Sequence, residues 1–346
     1  MSLSVFRIFL LFGLIVISSC SKDRGVIETQ LVVTKYDKKI PTDFDIIDFD
    51  TYSENHIFAV GHDGYLSVKL FLSANGGTTW DDITAPFDLL GWNGGFDLDK
   101  VQDVVYMDEN NLALVTGNKL FRSYDGGQSW TIMSDGIQML RVFFADKSED
   151  GNLLFIEDFN SSWAMNKIDK SAYDSQVFST IGTMPPAIGK YDAARLYGNY
   201  IMLLDYTNDY YYSATHGYNL TTGQYESLAF SGTSYDYPVD AMKVGERIFL
   251  IRKDGKLNFM SPTGAFVDYS FYNFHNQDYY SGEFMGDYYI AVGDRTISTN
   301  ISGKWEEAIN PDITGQQEVF RKVKKIDSDH FYVSGNSGLF FKGTFK

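Results

Sequence analysis

Cysteine is almost absent: the 346-residue chain carries one, Cys20. A single thiol forms no disulfide within the chain and leaves no Cys-based zinc cluster. Proline is scarce as well, at seven residues, and no low-complexity linker divides the sequence, so one main domain is expected. Long apolar runs are missing except at the start, where residues 8–17 are broken only by Gly13. Ten helical residues rise about 15 Å, half a bilayer core, which fits a signal-peptide apolar region better than a membrane span. Positive charge is outweighed, with 29 Lys and Arg against 45 Asp and Glu and a formal net charge of −16. That balance argues against nucleic acid as a partner and suits solubility. His56, His62, His216, His275 and His330 show no paired spacing for zinc, and neither a metal nor a cofactor is predicted.

What the chain does have is aromatic residues, 16% of the total, in short alternating stretches bounded by Gly, Asn and Asp. This is strand composition, and no helical period longer than two turns interrupts it. Related strand pairs recur from Ile57, Leu112, Leu153, Tyr200, Arg247, Tyr289 and Phe331. Their equivalent turn positions, Gly61, Gly117, Glu157, Asp205, Arg252, Gly293 and Gly335, lie 40 to 56 residues apart. A period in the forties is what four strands and four turns per propeller blade require. The last unit stops after its third strand, whereas TQLVVTKY at residues 29–36 has no blade of its own. Pairing the two would remove two open edges. The predicted fold is therefore all-β: a seven-bladed β-propeller closed by an N-terminal strand and preceded by a signal peptide.

The N-terminal segment ends in Ile17-Ser18-Ser19-Cys20, which resembles the lipobox of bacterial lipoproteins. The resemblance implies acylation at Cys20, dividing the chain into a signal peptide (1–19), a lipidated tether (20–28) and a propeller (29–346). Acyl chains, at roughly 0.8 kcal/mol per buried methylene, would anchor the protein durably to a membrane. The expected location is the bacterial cell envelope, with Ser21 pointing to the outer membrane.

Three units continue into an octapeptide: SANGGTTW from Ser73, SYDGGQSW from Ser123 and STNISGKW from Ser298. These resemble the Asp box of sialidases, sortilin-type receptors, some glycoside hydrolases and the photosystem II assembly-factor family. The resemblance gives structural roles to Ser73, Asn75, Gly77, Trp80, Ser123, Asp125, Gly127, Trp130, Ser298, Asn300 and Trp305. The motif suits a tight turn in which Asp or Asn accepts backbone N–H bonds, Gly takes positive φ and Trp anchors neighbouring strands. In the families resembled the box lies away from the ligand face, so it marks the fold and leaves the activity open.

A sialidase would need an arginine triad and a Tyr/Glu pair, yet no arginine occurs between Arg24 and Ser73, and the later ones stand in no family context. No catalytic residue is assigned. Asp43, Asp45, Asp48 and Asp50 form a conspicuous acidic cluster, read as a solvated strand entry, with a calcium site as the alternative. Candidate binding residues lie in loops between blades: Phe87, Trp92, Asn93 and Asp97 after the first, and Tyr235, Tyr237 and Tyr279 after later ones. Such aromatic and polar groups could stack on a sugar or seat a peptide. The leading expectation is a membrane-anchored, non-catalytic binding or assembly module for a protein or glycan. The photosystem II assembly-factor resemblance, in size, lipobox and repeat style, implies an assembly role. The alternative is a surface glycoside hydrolase or glycan-capture lipoprotein.

Overall fold

The structure, a computed structural model, describes residues 31–34, 40–62, 68–88, 101–116, 119–133, 142–159, 162–184, 190–197, 200–206, 213–229, 238–244, 247–252, 257–260, 266–269, 278–286, 288–301, 304–307 and 318–345. Two units separate by contacts, residues 1–30 with 346 and residues 31–345; all described residues belong to the second.

That unit is all-β and propeller-like. Its strands group into seven four-stranded antiparallel sheets. After β1 (Leu31–Thr34), the first sheet holds β2 (Asp45–Ser53), β3 (His56–His62), β4 (Val68–Ser73) and β5 (Asp81–Asp82). The second holds β6 (Val101–Tyr106), β7 (Leu112–Thr116), β8 (Lys119–Ser123) and β9 (Thr131–Ile132). The third runs β10 (Val142–Lys147), β11 (Leu153–Phe159), β12 (Ser162–Ile168) and β13 (Ser179–Met184). The fourth runs β14 (Lys190–Tyr197), β15 (Tyr200–Tyr206), β16 (Ser213–Asn219) and β17 (Gln224–Ala229). The fifth comprises β18 (Pro238–Val244), β19 (Arg247–Arg252), β20 (Leu257–Met260) and β21 (Phe266–Tyr269). The sixth comprises β22 (Tyr279–Met285), β23 (Tyr288–Gly293), β24 (Thr296–Ile301) and β25 (Lys304–Glu307). In the last, β26 (Phe320–Lys325), β27 (His330–Gly335) and β28 (Phe340–Phe345) are joined by β1, with Leu31 opposite Phe345 and Thr34 opposite Lys342. Among the described residues, helix is confined to α1 (Thr84–Asp88) and a 3-10 turn at Lys170–Ala172.

Consecutive buried residues in strands such as β3 and β7 put apolar side chains on both faces of their sheets, so the core lies between sheets rather than at one centre. Phe58 and Val60 of β3 pack with Leu114 of β7 and Phe121 of β8, and Phe71 of β4 packs with Tyr332 of β27 and Phe340 of β28. The first strand of every sheet meets the first strand of the next, and this succession of contacts returns from β26 to β2. These seven first strands surround the candidate site.

The first two octapeptides form the turns between β4 and β5 and between β8 and β9. Ser123 Oγ accepts the Gly127 N–H at 2.8 Å, while Asp125 Oδ1 accepts the Ser129 N–H at 2.8 Å. In the first turn Ser73 Oγ accepts the Gly77 N–H at 2.9 Å, and Asn75 Oδ1 takes the place of the carboxylate, accepting the Thr79 N–H at 2.8 Å. Gly127 has φ +86°, a conformation that residues with a Cβ rarely adopt, so glycine is favoured there. The Trp side chains then bridge sheets: Trp80 packs edge-on against Phe340 at 5.1 Å, and Trp130 lies 6.1 Å from Phe58. In the third octapeptide Asn300 pairs with Trp305 across β24 and β25, while Ser298 is buried and bonds Tyr279 Oη at 2.7 Å instead.

Candidate functional site

Each first strand carries one extra residue at the same place. The register shifts between Ile46 and Asp48, Val101 and Asp103, Val142 and Phe144, Tyr191 and Ala193, Pro238 and Asp240, Tyr279 and Ser281, and Phe320 and Lys322. A bulge twists a strand and re-aims the side chains beyond it. Just past it stand Asp48, Asp103, Asp240, Ser281 and Lys322, and two residues further on come Asp50, Asp146, Arg195, Glu283 and Lys324. Groups from all seven first strands line a cavity of about 110 Å³.

These strands have no hydrogen-bonded neighbour on their inner edge, which leaves backbone donors to satisfy. Carboxylates supply the acceptors. Asp48 Oδ2 accepts the Val104 N–H at 3.0 Å, and Asp50 Oδ2 accepts the Tyr106 N–H at 2.7 Å. Asp240 Oδ2 takes the Gly282 N–H and the Ser281 hydroxyl, both at 3.1 Å. Glu283 Oε2 reaches the Lys325 N–H at 3.5 Å. Each bond runs from one sheet to the next, so side chains stitch edges that no strand ladder joins. Lys147 Nζ does the reverse, donating to the Tyr106 carbonyl at 3.2 Å.

Bases meet four of the acids, with Arg195 Nη1 3.8 Å from Asp103 Oδ1 as the loosest contact. Lys322 Nζ lies 3.0 Å from Asp48 Oδ1, Lys324 pairs with Asp50, and Arg195 Nε donates to Asp240 Oδ1 at 2.8 Å. Burial opposes the charge on Lys324, but Asp50 and Asp146 outweigh it and raise its pKa. Burial likewise raises Asp103 well above the carboxylate range, against the pull of Arg195. It also raises Asp146, against Lys324, and Glu283, against the N–H of Phe284 and the charge of Lys324. This set favours strand-to-strand locking and recognition of a charged group.

The acidic cluster differs from its sequence reading. Asp43 is exposed and Asp45 partly so, with Arg321 Nη2 3.5 Å from Asp45 Oδ2, which suits a solvated strand entry. Asp48 and Asp50, at 6% and 2% exposure, are instead buried among the first strands, because the bulge after Ile46 turns them toward β6 and β26. Among the described residues no three His, Cys, Asp or Glu side chains group as metal ligands. Tyr279, expected in a loop, begins β22 and is buried, its hydroxyl held by Ser298; the polar run before it imitates a turn, but the strand starts there. Phe87 falls within α1. Trp92, Asn93, Asp97, Tyr235 and Tyr237 lie outside the described residues, as does Cys20.

Sequence reasoning missed Arg195, Asp103, Asp146, Asp240, Glu283, Lys322 and Lys324. Their one local signal is that charged residues recur among the apolar ones of the first strands, at a spacing blurred by the uneven repeat.

No protein-family model matches the chain, and no curated protein matches its sequence. Among solved structures it is similar to YCF48 bound to D1 peptide (TM-score 0.65, 15% identity, covering 93% of this chain and 96% of that one). It is similar to YCF48 from Cyanidioschyzon merolae (TM-score 0.65, 16% identity, 90% and 98%). It also resembles virginiamycin B lyase from Staphylococcus aureus (TM-score 0.63, 12% identity, 92% and 99%). At these identities the likeness establishes the fold: the chain is a β-propeller.

Proposed function

We propose that the chain is a lipid-anchored, non-catalytic module that binds a protein partner at the axial face of a seven-bladed propeller. The carrying observation is the axial cavity. At about 110 Å³ it is smaller than the roughly 300–1,000 Å³ of a small-molecule pocket, and carboxylates such as Asp48 and Asp50 are spent on backbone donors and lysines. A hydrolase would need an open cleft that admits a sugar between two carboxylates, and a cavity of about 110 Å³ is too small for one, which favours binding. The structural neighbour holding a D1 peptide supports a protein ligand on such a scaffold.

The finer parts of the reading go with it. The octapeptide turns act as Asp boxes, β1 closes the ring through β28, and Cys20 carries the acyl chains that hold the module in the cell envelope, at the outer membrane. Phe87, Trp92, Asn93, Asp97, Tyr235 and Tyr237 are the first positions to test for partner contact.

The test applies the processed chain to an immobilised peptide library and a glycan array, with the bound peptide mapped by photo-crosslinking. Peptide capture at first-strand or loop positions is expected; glycan binding or sugar release with no peptide retained would overturn the reading. In parallel, Cys20→Ala should abolish incorporation of an alkyne-tagged fatty acid.

A further inference from the structure

We propose that the axial cavity receives an organic cation, an ammonium or guanidinium on an alkyl arm, supplied by a basic side chain of the bound peptide. This rests on the peptide-binding reading and names the chemistry of the partner.

The charge balance points there. Around the cavity, Asp48, Asp50 and Asp240 each have a lysine or arginine in contact, which accounts for Lys322, Lys324 and Arg195. Three further carboxylates, on three different sheets, have less: Asp103 shares Arg195 with Asp240, and Asp146 and Glu283 have no base in contact among the described residues. Asp103 is the decisive one: it is 8% exposed, lines the cavity and makes no hydrogen bond among the described residues. Its nearest cationic nitrogen, Arg195 Nη1, stands 3.8 Å away, beyond hydrogen-bond reach, because the same guanidinium is engaged by Asp240 at 2.8 Å. Asp146 accepts the N–H of Lys147 at 2.7 Å, and Glu283 accepts those of Phe284 at 3.1 Å and Lys325 at 3.5 Å. Neither has an ion-pair partner among the described residues. A carboxylate drawn out of water is costly to hold as the anion, and a cation beside it offsets that cost.

Other ligands fit less well. An anion would meet bases already neutralised. A hard divalent ion wants six to eight oxygens on one centre, whereas these acids sit on separate sheets and form no metal-ligand group. A volume of about 110 Å³ suits the head of one side chain. Solvent reaches it, since Lys324 and Arg195 keep 32% and 22% of their side chains exposed. The net charge of −16 steers a basic segment toward the chain.

Two arms test this on the processed chain. In calorimetry at pH 6, n-butylguanidinium and n-butylammonium should bind saturably. The neutral analogue N-butylacetamide should not bind, and Asp103→Asn combined with Asp146→Asn should weaken the cations at least tenfold, with Glu283→Gln as a second variant if that pair misfolds. In the peptide library, retained sequences should be rich in Lys or Arg, and replacing that residue with norleucine or citrulline should cost at least tenfold. Peptides bound regardless of charge, with no uptake of the butyl cations, would overturn the cation site and leave the peptide reading intact. Uptake of the butyl cations with no peptide retained would overturn the peptide reading and assign the cavity to a free amine. Failure of both arms would overturn both.

Discussion

Asp50 serves three partners at once, the Tyr106 N–H through Oδ2 and both the Thr51 N–H, at 2.6 Å, and the Lys324 ammonium through Oδ1. Asp50→Ala would leave a buried donor unsatisfied and a lysine uncompensated, and should destabilise the fold by about 3 kcal/mol, measurable by urea unfolding. Asp50→Asn should cost less, since the amide oxygen still accepts the N–H. Asp48 and Asp50 were legible in the sequence as members of an acidic cluster read as a solvated strand entry. Their burial was not, because it depends on β26, contributed by residues some 270 positions later. Arg195 gave no local sign either: its carboxylate partners, Asp103 and Asp240, lie in strands far before and after it.

Strands were the most readable elements. Short alternating aromatic stretches with Gly, Asn and Asp between them announce β-structure whatever the neighbours do, and the two well-preserved octapeptides mark turns because their hydrogen bonds are local, within four residues. Placement failed where context decides: Tyr279 looked like a loop residue but starts a buried strand. The pairing of β1 with β28 makes an element-scale prediction. Four residues, Leu31 to Thr34, cover an edge whose rear carries Phe341 and Phe345. Deleting residues 29–36 should lower the Tm and promote self-association, because β28 would present unpaired N–H and C=O groups to other chains. Thermal unfolding and size-exclusion chromatography check both effects, and a monomer of unchanged Tm would refute them.

At the scale of the whole molecule, seven first strands converge with more acid than base. Burial raises Asp103, Asp146 and Glu283 above the values they have in the unfolded chain. Between the two sets of values the folded state holds more protons, so its stability falls as pH rises. This contribution is complete below the ordinary carboxylate pKa of about 4 and is lost as pH climbs through the raised folded values. Urea midpoints measured upward from pH 4 should show that decline superimposed on the other titrations, and Asp103→Asn should flatten it. A steeper decline in the variant would contradict the assignment.

Native-state hydrogen exchange at the Val104, Tyr106 and Gly282 amides tests most directly whether side chains stitch the first strands together. These N–H groups lie on an edge with no partner strand and are held by Asp48, Asp50 and Asp240. They should exchange slowly in the wild type, with Asp48→Ala and Asp50→Ala selectively accelerating Val104 and Tyr106 respectively. Exchange as fast as that of an exposed loop amide in the wild type, or no site-selective change in the variants, would contradict the stitched axial architecture.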